Sequence, residues 1–195
     1  RNKKNIILST GRFVRPGAGR SKRQDAMIDL FIEQEDQWEG WELHLAEYIQ
    51  DLDYQKELLE KAKGHRIVFH FNALRPELES LIGEAKLYWH AVGLGLKEED
   101  EPLAMEHFGI STVEAMSAGA VPVVIAEGGQ KEIVQHGGNG FLWSNISEWK
   151  AQTNSLIADE TKLEAMAKAA QLRAEYFSFQ AFKNRLNHYL SHEKT

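Results

Sequence analysis

Strand-sized apolar runs alternate with segments of helical periodicity along this chain, and that alternation narrows the fold more than any other property of the sequence. The pattern predicts short strands over 5–9, 41–46, 66–71, 86–90, 121–125 and 141–143. Between them lie helical patterns. Met27, Ile28, Leu30, Phe31 and Ile32 mark one. Leu58, Leu59 and Ala62 share a face of a second, over 54–62. Pro76 suits the first turn of a third, through residue 82. A fourth runs from about Ser111 to Ser117, with Gly119 as its stop signal. A short one covers 131–136, and the turn 137–140 precedes the last strand. The final fifty residues read as three helices over 148–158, 160–175 and 180–191, with Ser178 a candidate cap. Strands and helices in alternation imply an α/β fold, a doubly wound parallel sheet of the Rossmann-like kind. The 195 residues show no internal repeat and no low-complexity linker, which fits one domain over 1–195. Ligands in such sheets bind beyond the carboxyl ends of the strands.

Composition removes several function classes. No apolar run approaches the roughly 20 residues that span a bilayer, and no secretory h-region opens the chain. With no cysteine there is no disulfide or thiolate chemistry, which fits a reducing, cytoplasmic setting. The chain begins with Arg1 rather than Met, and a strand is expected almost at once. We read it as a piece whose N-terminal part is absent, although processing would leave the same start. Net charge is −6 but unevenly placed. Residues 1–24 hold eight basic side chains and no acidic one, while 33–60 hold ten acidic side chains and one lysine. An acidic chain is a poor general nucleic-acid binder, so no nucleic-acid partner is expected. A basic cluster in one loop better suits a small anion, and the acidic stretch reads as a solvated face.

Two glutamates carry the sharpest chemical signal. Glu106 and Glu114 flank Phe108, Gly109, Ile110 and Ser111, at the expected start of a helix followed directly by a buried strand. A helix start offers free N–H groups and a positive dipole end, which suit phosphate. Carboxylates would repel phosphate but accept hydrogen bonds from hydroxyls. Phosphate and hydroxyl binders together describe a nucleotide-sugar site. Ser111-x-x-Glu114 is also a capping box that needs no ligand, so structure and function weigh evenly for Glu114. Glu106 leans to function. The glycine-rich loop over 11–19 is neither a Walker A nor a dinucleotide fingerprint, since the third glycine is missing at Lys22. It still offers Arg12 and Lys22 to an anion. Among eight histidines only His188 and His192 stand at i, i+4 spacing, and they read as an exposed face rather than a metal site. His90 and His107 are better placed for a site, yet each could be a packing residue. The tryptophans read as core or interface.

The stretch from Glu106 to Val124 resembles the E-x7-E signature of retaining glycosyltransferases of family 4. Three more segments agree in order: Gly11-Arg12 with Lys22, Gly128-Gly129-Gln130-Lys131-Glu132-Ile133-Val134, and Asn139-Gly140-Phe141-Leu142. The resemblance implies the C-terminal, donor-binding half of a GT-B enzyme, the N-terminal acceptor domain being absent from this chain. It implies that Gly11, Arg12 and Lys22 meet the donor diphosphate, and that Glu106 meets the transferred sugar. Phe108, Gly109, Ile110 and Ser111 would lie along sugar and phosphate, and Glu114 on the ribose. Asn72 and Leu74 would border the base. It makes Glu106, Arg12 and Lys22 the catalytic candidates, with no metal and no cofactor beyond a UDP- or GDP-sugar substrate. The acceptor, carbohydrate or lipid-linked, would come to the missing half, with peripheral membrane contact of the whole protein. This piece alone would bind donor weakly and transfer little or nothing. An epimerase of the same architecture and a non-catalytic nucleotide-sugar-binding module are the alternatives. The long acidic insert over 93–102 departs from the family pattern.

Overall fold

A computed structural model describes residues 2–17 and 20–192, apart from the side chains of Glu47 and His192. Arg1 of the basic cluster, Gly19 of the glycine-rich loop and the His192 side chain of the histidine pair therefore lie outside the described residues. Six strands form one sheet: β1 (Lys4–Thr10), β2 (Glu42–Glu47), β3 (Ile67–Phe71), β4 (Ala85–His90), β5 (Val121–Ile125) and β6 (Phe141–Trp143). Their order is β3-β2-β1-β4-β5-β6, and every pairing is parallel. The helices are α1 (Gln24–Gln34), α2 (Leu52–Lys61), α3 (Arg75–Glu84), α4 (Ile110–Ser117), α5 (Gln130–Ile133), α6 (Ile146–Ile157), α7 (Glu160–Glu175) and α8 (Phe179–His192). This is the Rossmann-like α/β architecture that the alternation predicts.

Strand residues alternate between two cores. Ile7, Leu87, Trp89, Val123 and Ile125 pack with Met27, Phe31, Trp149 and Leu156 on one face. Ile6, Leu8, Tyr88 and Val124 pack with Ile82, Ala115, Met116 and Ile133 on the other. All five tryptophans are buried, so they serve the core. Trp143 and Trp149 stack with centroids 4.4 Å apart, and Trp89 meets Trp149 edge-on at 4.7 Å. Leu59 departs from its expected face and is exposed, while Leu58 is buried. Helix α4 closes as a Schellman turn: Gly119 N–H donates to Met116 O at 2.9 Å and Ala120 N–H to Ala115 O at 2.9 Å. Ser178 accepts from the Ala181 amide at 3.2 Å, as a cap of α8 should.

Strand order reverses between β1 and β4. The connections leaving their carboxyl ends diverge to opposite sides and open a crevice there. Both segments singled out in the sequence leave these strands, the Gly11 loop after β1 and the Glu106 loop after β4.

Candidate functional site

The crevice is an open cleft of about 430 Å³. Gly11, Lys22, Glu106, Phe108, Gly109, Ile110, Ser111 and Glu114 line it, joined by Thr10, Arg75 and His107. Eight of the eleven residues singled out in the sequence thus share one surface. Arg12, Asn72 and Leu74 lie outside that lining. Arg12 is exposed and forms no ion pair with a described residue. Asn72 takes a left-handed φ of 56°, and its Oδ1 accepts from the Ile49 amide at 3.3 Å. Leu74 is 74% exposed just before α3.

Lys22 and Glu106, 84 residues apart, meet at 2.8 Å with side chains 16% and 18% exposed. Gly11 makes room for this. A Cβ there would stand 2.5 Å from the Lys22 side chain. Beneath Glu106 lies His90, 1% exposed, its Nε2 3.5 Å from the same carboxylate oxygen. The contact with His90 and the Lys22 ammonium hold the Glu106 carboxyl far below its ordinary range, against the opposing effect of burial. The stronger hold is Lys22, which is charged and at contact distance. Burial pushes His90 down to about 4, so it is neutral at pH 7.

That burial has a consequence for acid stability. As pH falls through 6.5 the unfolded chain protonates this histidine first, while the folded chain resists until about 4. Stability is therefore lost between those values, by up to about 3 kcal/mol. Denaturant titrations at pH 7 and 4.5 should show a smaller acid loss in His90→Phe than in the wild type. An equal loss in both would contradict the burial of a neutral ring.

Helix α4 corrects one expectation. It begins at Ile110, and Gly109 at φ 104° takes the N-cap position with no side-chain cap. The capping box does not form. The Ser111 hydroxyl instead accepts from Tyr88 at 2.8 Å, and Tyr88 also meets Thr10 Oγ1 at 3.1 Å. Glu114 pairs with Arg75 Nη1 at 2.9 Å. The reason is the left-handed turn at Gly109, which takes the N-cap position two residues ahead of Ser111 and leaves Ser111 inside the first turn. A side chain would not fit at Gly109, because a Cβ would stand 2.6 Å from the amide of buried Gln130. The start of α4 thus opens uncapped onto the cleft beside Lys22.

The Gly128-Gly129 segment is packing rather than lining. A Cβ at Gly128 would stand 2.3 Å from Glu106 O, and one at Gly129 would stand 2.6 Å from both His107 O and Phe108 O. Gly129 N–H donates to Glu106 O at 2.8 Å. These glycines let α5 rest directly on the backbone that carries Glu106. The acidic insert braces the same place, since Glu98 accepts from the Gly128 amide at 3.3 Å and pairs with Lys131.

The basic cluster is dispersed. Lys4 pairs with Glu84, Arg15 with Glu57 and Asp51, and Arg23 with Asp25 and Leu94 O. The acidic stretch is accordingly not only a solvated face. Asp51 caps α2, and Glu35 holds His65 and the Arg66 amide. Arg20 reaches His107 at 3.3 Å. Arg75 and Tyr88 complete these contacts, although neither belongs to a motif. Both left a signal: an arginine just before the helix-opening Pro76, and a phenol inside a buried strand that needs a partner.

The family profile of the glycosyl transferases group 1 matches residues 1–173. A Dictyostelium discoideum protein described as GDP-Man:Man(3)GlcNAc(2)-PP-Dol alpha-1,2-mannosyltransferase is 32% identical over 125 residues, covering 64% of this chain and 23% of that protein. The chain therefore spans about a quarter of this relative's length. The crystal structure of Anabaena Alr3699/HepE in complex with UDP-glucose superposes with a TM-score of 0.75 at 24% identity, over 96% of this chain and 49% of that one. The C-terminal domain of a Francisella tularensis glycosyl transferase group 1 family protein, LpcC, has a TM-score of 0.71 at 20% identity, over 89% of this chain and 86% of that domain. At these identities the two structures speak for the fold alone. Among the described residues no helix is long and apolar enough to cross a membrane.

Proposed function

Because the chain belongs to the glycosyl transferases group 1 family, we propose that it is the donor-binding half of a hexosyltransferase of family 4, moving a sugar from a nucleotide-sugar to an acceptor with retention of anomeric configuration. One observation carries this reading: Lys22 and Glu106 meet in the switch-point cleft beside the uncapped start of α4. A cation and free helix amides suit a diphosphate, and a carboxylate beside them suits the hydroxyls of the attached sugar.

In this proposal Arg12 and Lys22 hold the diphosphate against the start of α4, along Gly11 and the backbone of Gly109, Ile110 and Ser111. Glu106 accepts from the hexose hydroxyls, and Glu114, steadied by Arg75, accepts from the ribose. The base lies toward Asn72 and Leu74, and Phe108 borders the sugar. The bond from the anomeric carbon to the diphosphate oxygen breaks as the bond to the acceptor oxygen forms on the same face. The acceptor proton passes to the departing diphosphate. Arg12, Lys22 and the helix amides stabilise the charge that develops there, without need of a metal. The Dictyostelium relative, named for a dolichol-linked acceptor, supports a lipid-linked or carbohydrate acceptor held by the other half. We place the whole protein in the cytoplasm, with peripheral contact to a membrane.

Calorimetry of the chain with UDP, GDP, UDP-glucose and GDP-mannose tests the reading. Weak binding of at least one pair is expected, roughly tens of micromolar to millimolar. No heat from any of the four with the fold intact would sink it. Arg12→Ala should weaken the bound nucleoside diphosphate roughly tenfold and leave the matching nucleoside unchanged. Equal losses for both would refute a phosphate role for Arg12.

A further inference from the structure

His90 has no place in the scheme above, yet it is the most completely buried ionisable group at the cleft. It ends β4 directly under Glu106. Neither ring nitrogen makes a hydrogen bond to a described residue. Its Nε2 stops 3.5 Å from Glu106 Oε2, and that same oxygen is occupied by Lys22 at 2.8 Å. A buried polar ring without a partner is costly and rare. Here the missing partner is one short movement away, and its oxygen is already engaged by Lys22.

We infer, resting on the donor-binding reading, that His90 is a positioning residue which takes over the Glu106 carboxylate when the donor diphosphate draws Lys22 away. A Lys22 ammonium that turns toward phosphate loosens its 2.8 Å hold on Glu106 Oε2. Its departure would leave a largely buried carboxylate without a partner, free to rotate or to take up a proton. The neutral imidazole, carrying its proton on Nε2, then closes the gap and donates to Oε2. Oε1 is left to accept from the hexose hydroxyls. A neutral donor suits this task, because it orients the carboxylate without cancelling the charge that the sugar hydroxyls meet. Lys22 and His90 thus serve one oxygen in turn, and sugar capture is coupled to diphosphate capture.

Long-range proton–nitrogen spectra of the chain read the ring directly. On saturation with whichever of UDP and GDP it binds, the His90 Nε2–H should shift downfield and resist exchange. Unchanged ring signals with the nucleotide bound would overturn the inference. In a second arm, calorimetry gives the ratio of nucleotide-sugar to nucleoside diphosphate affinity. His90→Phe should lower that ratio roughly tenfold, the worth of one hydrogen bond to a charged group. His90→Gln keeps an N–H and should restore most of it. An unchanged ratio in His90→Phe, or no recovery in His90→Gln, would overturn the inference while leaving the donor reading intact. Should His90→Phe fail to fold, the spectra of the wild type decide. No nucleotide binding by the wild type would contradict the donor reading itself, and this inference with it.

Discussion

Replacing Glu106 with glutamine should lower sugar transfer by the whole enzyme roughly a hundredfold or more, while nucleoside diphosphate binding by this chain stays level or tightens. The two halves of that result have one cause. Glu106 faces the cleft with Lys22 at 2.8 Å and is held in its charged form. Glutamine is nearly the same shape but a weaker acceptor for hydroxyls, so the proposed contact with the sugar should weaken. It also releases Lys22, which no longer has to leave a carboxylate to reach phosphate. Calorimetry with UDP and GDP beside UDP-glucose and GDP-mannose separates the halves. Only the nucleotide-sugars should lose affinity. Parallel losses for sugar-bearing and sugar-free nucleotides would show that Glu106 shapes the cleft rather than binding the sugar.

Gly129→Ala should be about as damaging and for a wholly different reason. The added methyl would stand 2.6 Å from two carbonyl oxygens and 2.7 Å from Phe108 Cα, all of them backbone. No side chain can swing aside to relieve it. Either α5 lifts away or the segment bearing Glu106 and Phe108 shifts. Overpacking of this kind costs about 3 kcal/mol, or roughly 6–12 °C of melting temperature for a chain of this size. Nucleotide binding should fall with it. Gly138→Ala is the control, since its nearest neighbour would be Gln135 O at an acceptable 3.4 Å. A Gly129→Ala protein that melts and binds like the wild type would refute the claim that this glycine positions the Glu106 loop.

The fold was legible because its signals are local. Strands β5 and β6 and helix α7 fall on the residues that periodicity marks, and the other elements shift by one to a few residues at their ends. The candidate site was legible in its residue types, less so in its pairings. Ser111-x-x-Glu114 has the spacing of a capping box, but local spacing lost to tertiary contacts. Tyr88 is 23 residues from Ser111 and claims its hydroxyl, while Arg75, on another helix, claims Glu114. The Lys22–Glu106 contact joins β1's loop to β4's, and no local pattern could announce it. The basic N-terminal segment misled in the opposite way. Its charges are adjacent in sequence, yet Lys4, Arg15, Lys22 and Arg23 each turn to a separate acidic partner. Gly128-Gly129 was recognisable as a motif, but its reason lay in a backbone more than twenty residues upstream.

A structure of the chain with a nucleotide-sugar bound tests the central claim most directly. The account predicts the diphosphate within hydrogen-bonding distance of Lys22 and the amides of Ile110 and Ser111, with hexose hydroxyls on Glu106 and ribose hydroxyls on Glu114. A nucleotide seated elsewhere, with Lys22 still paired to Glu106, would contradict it.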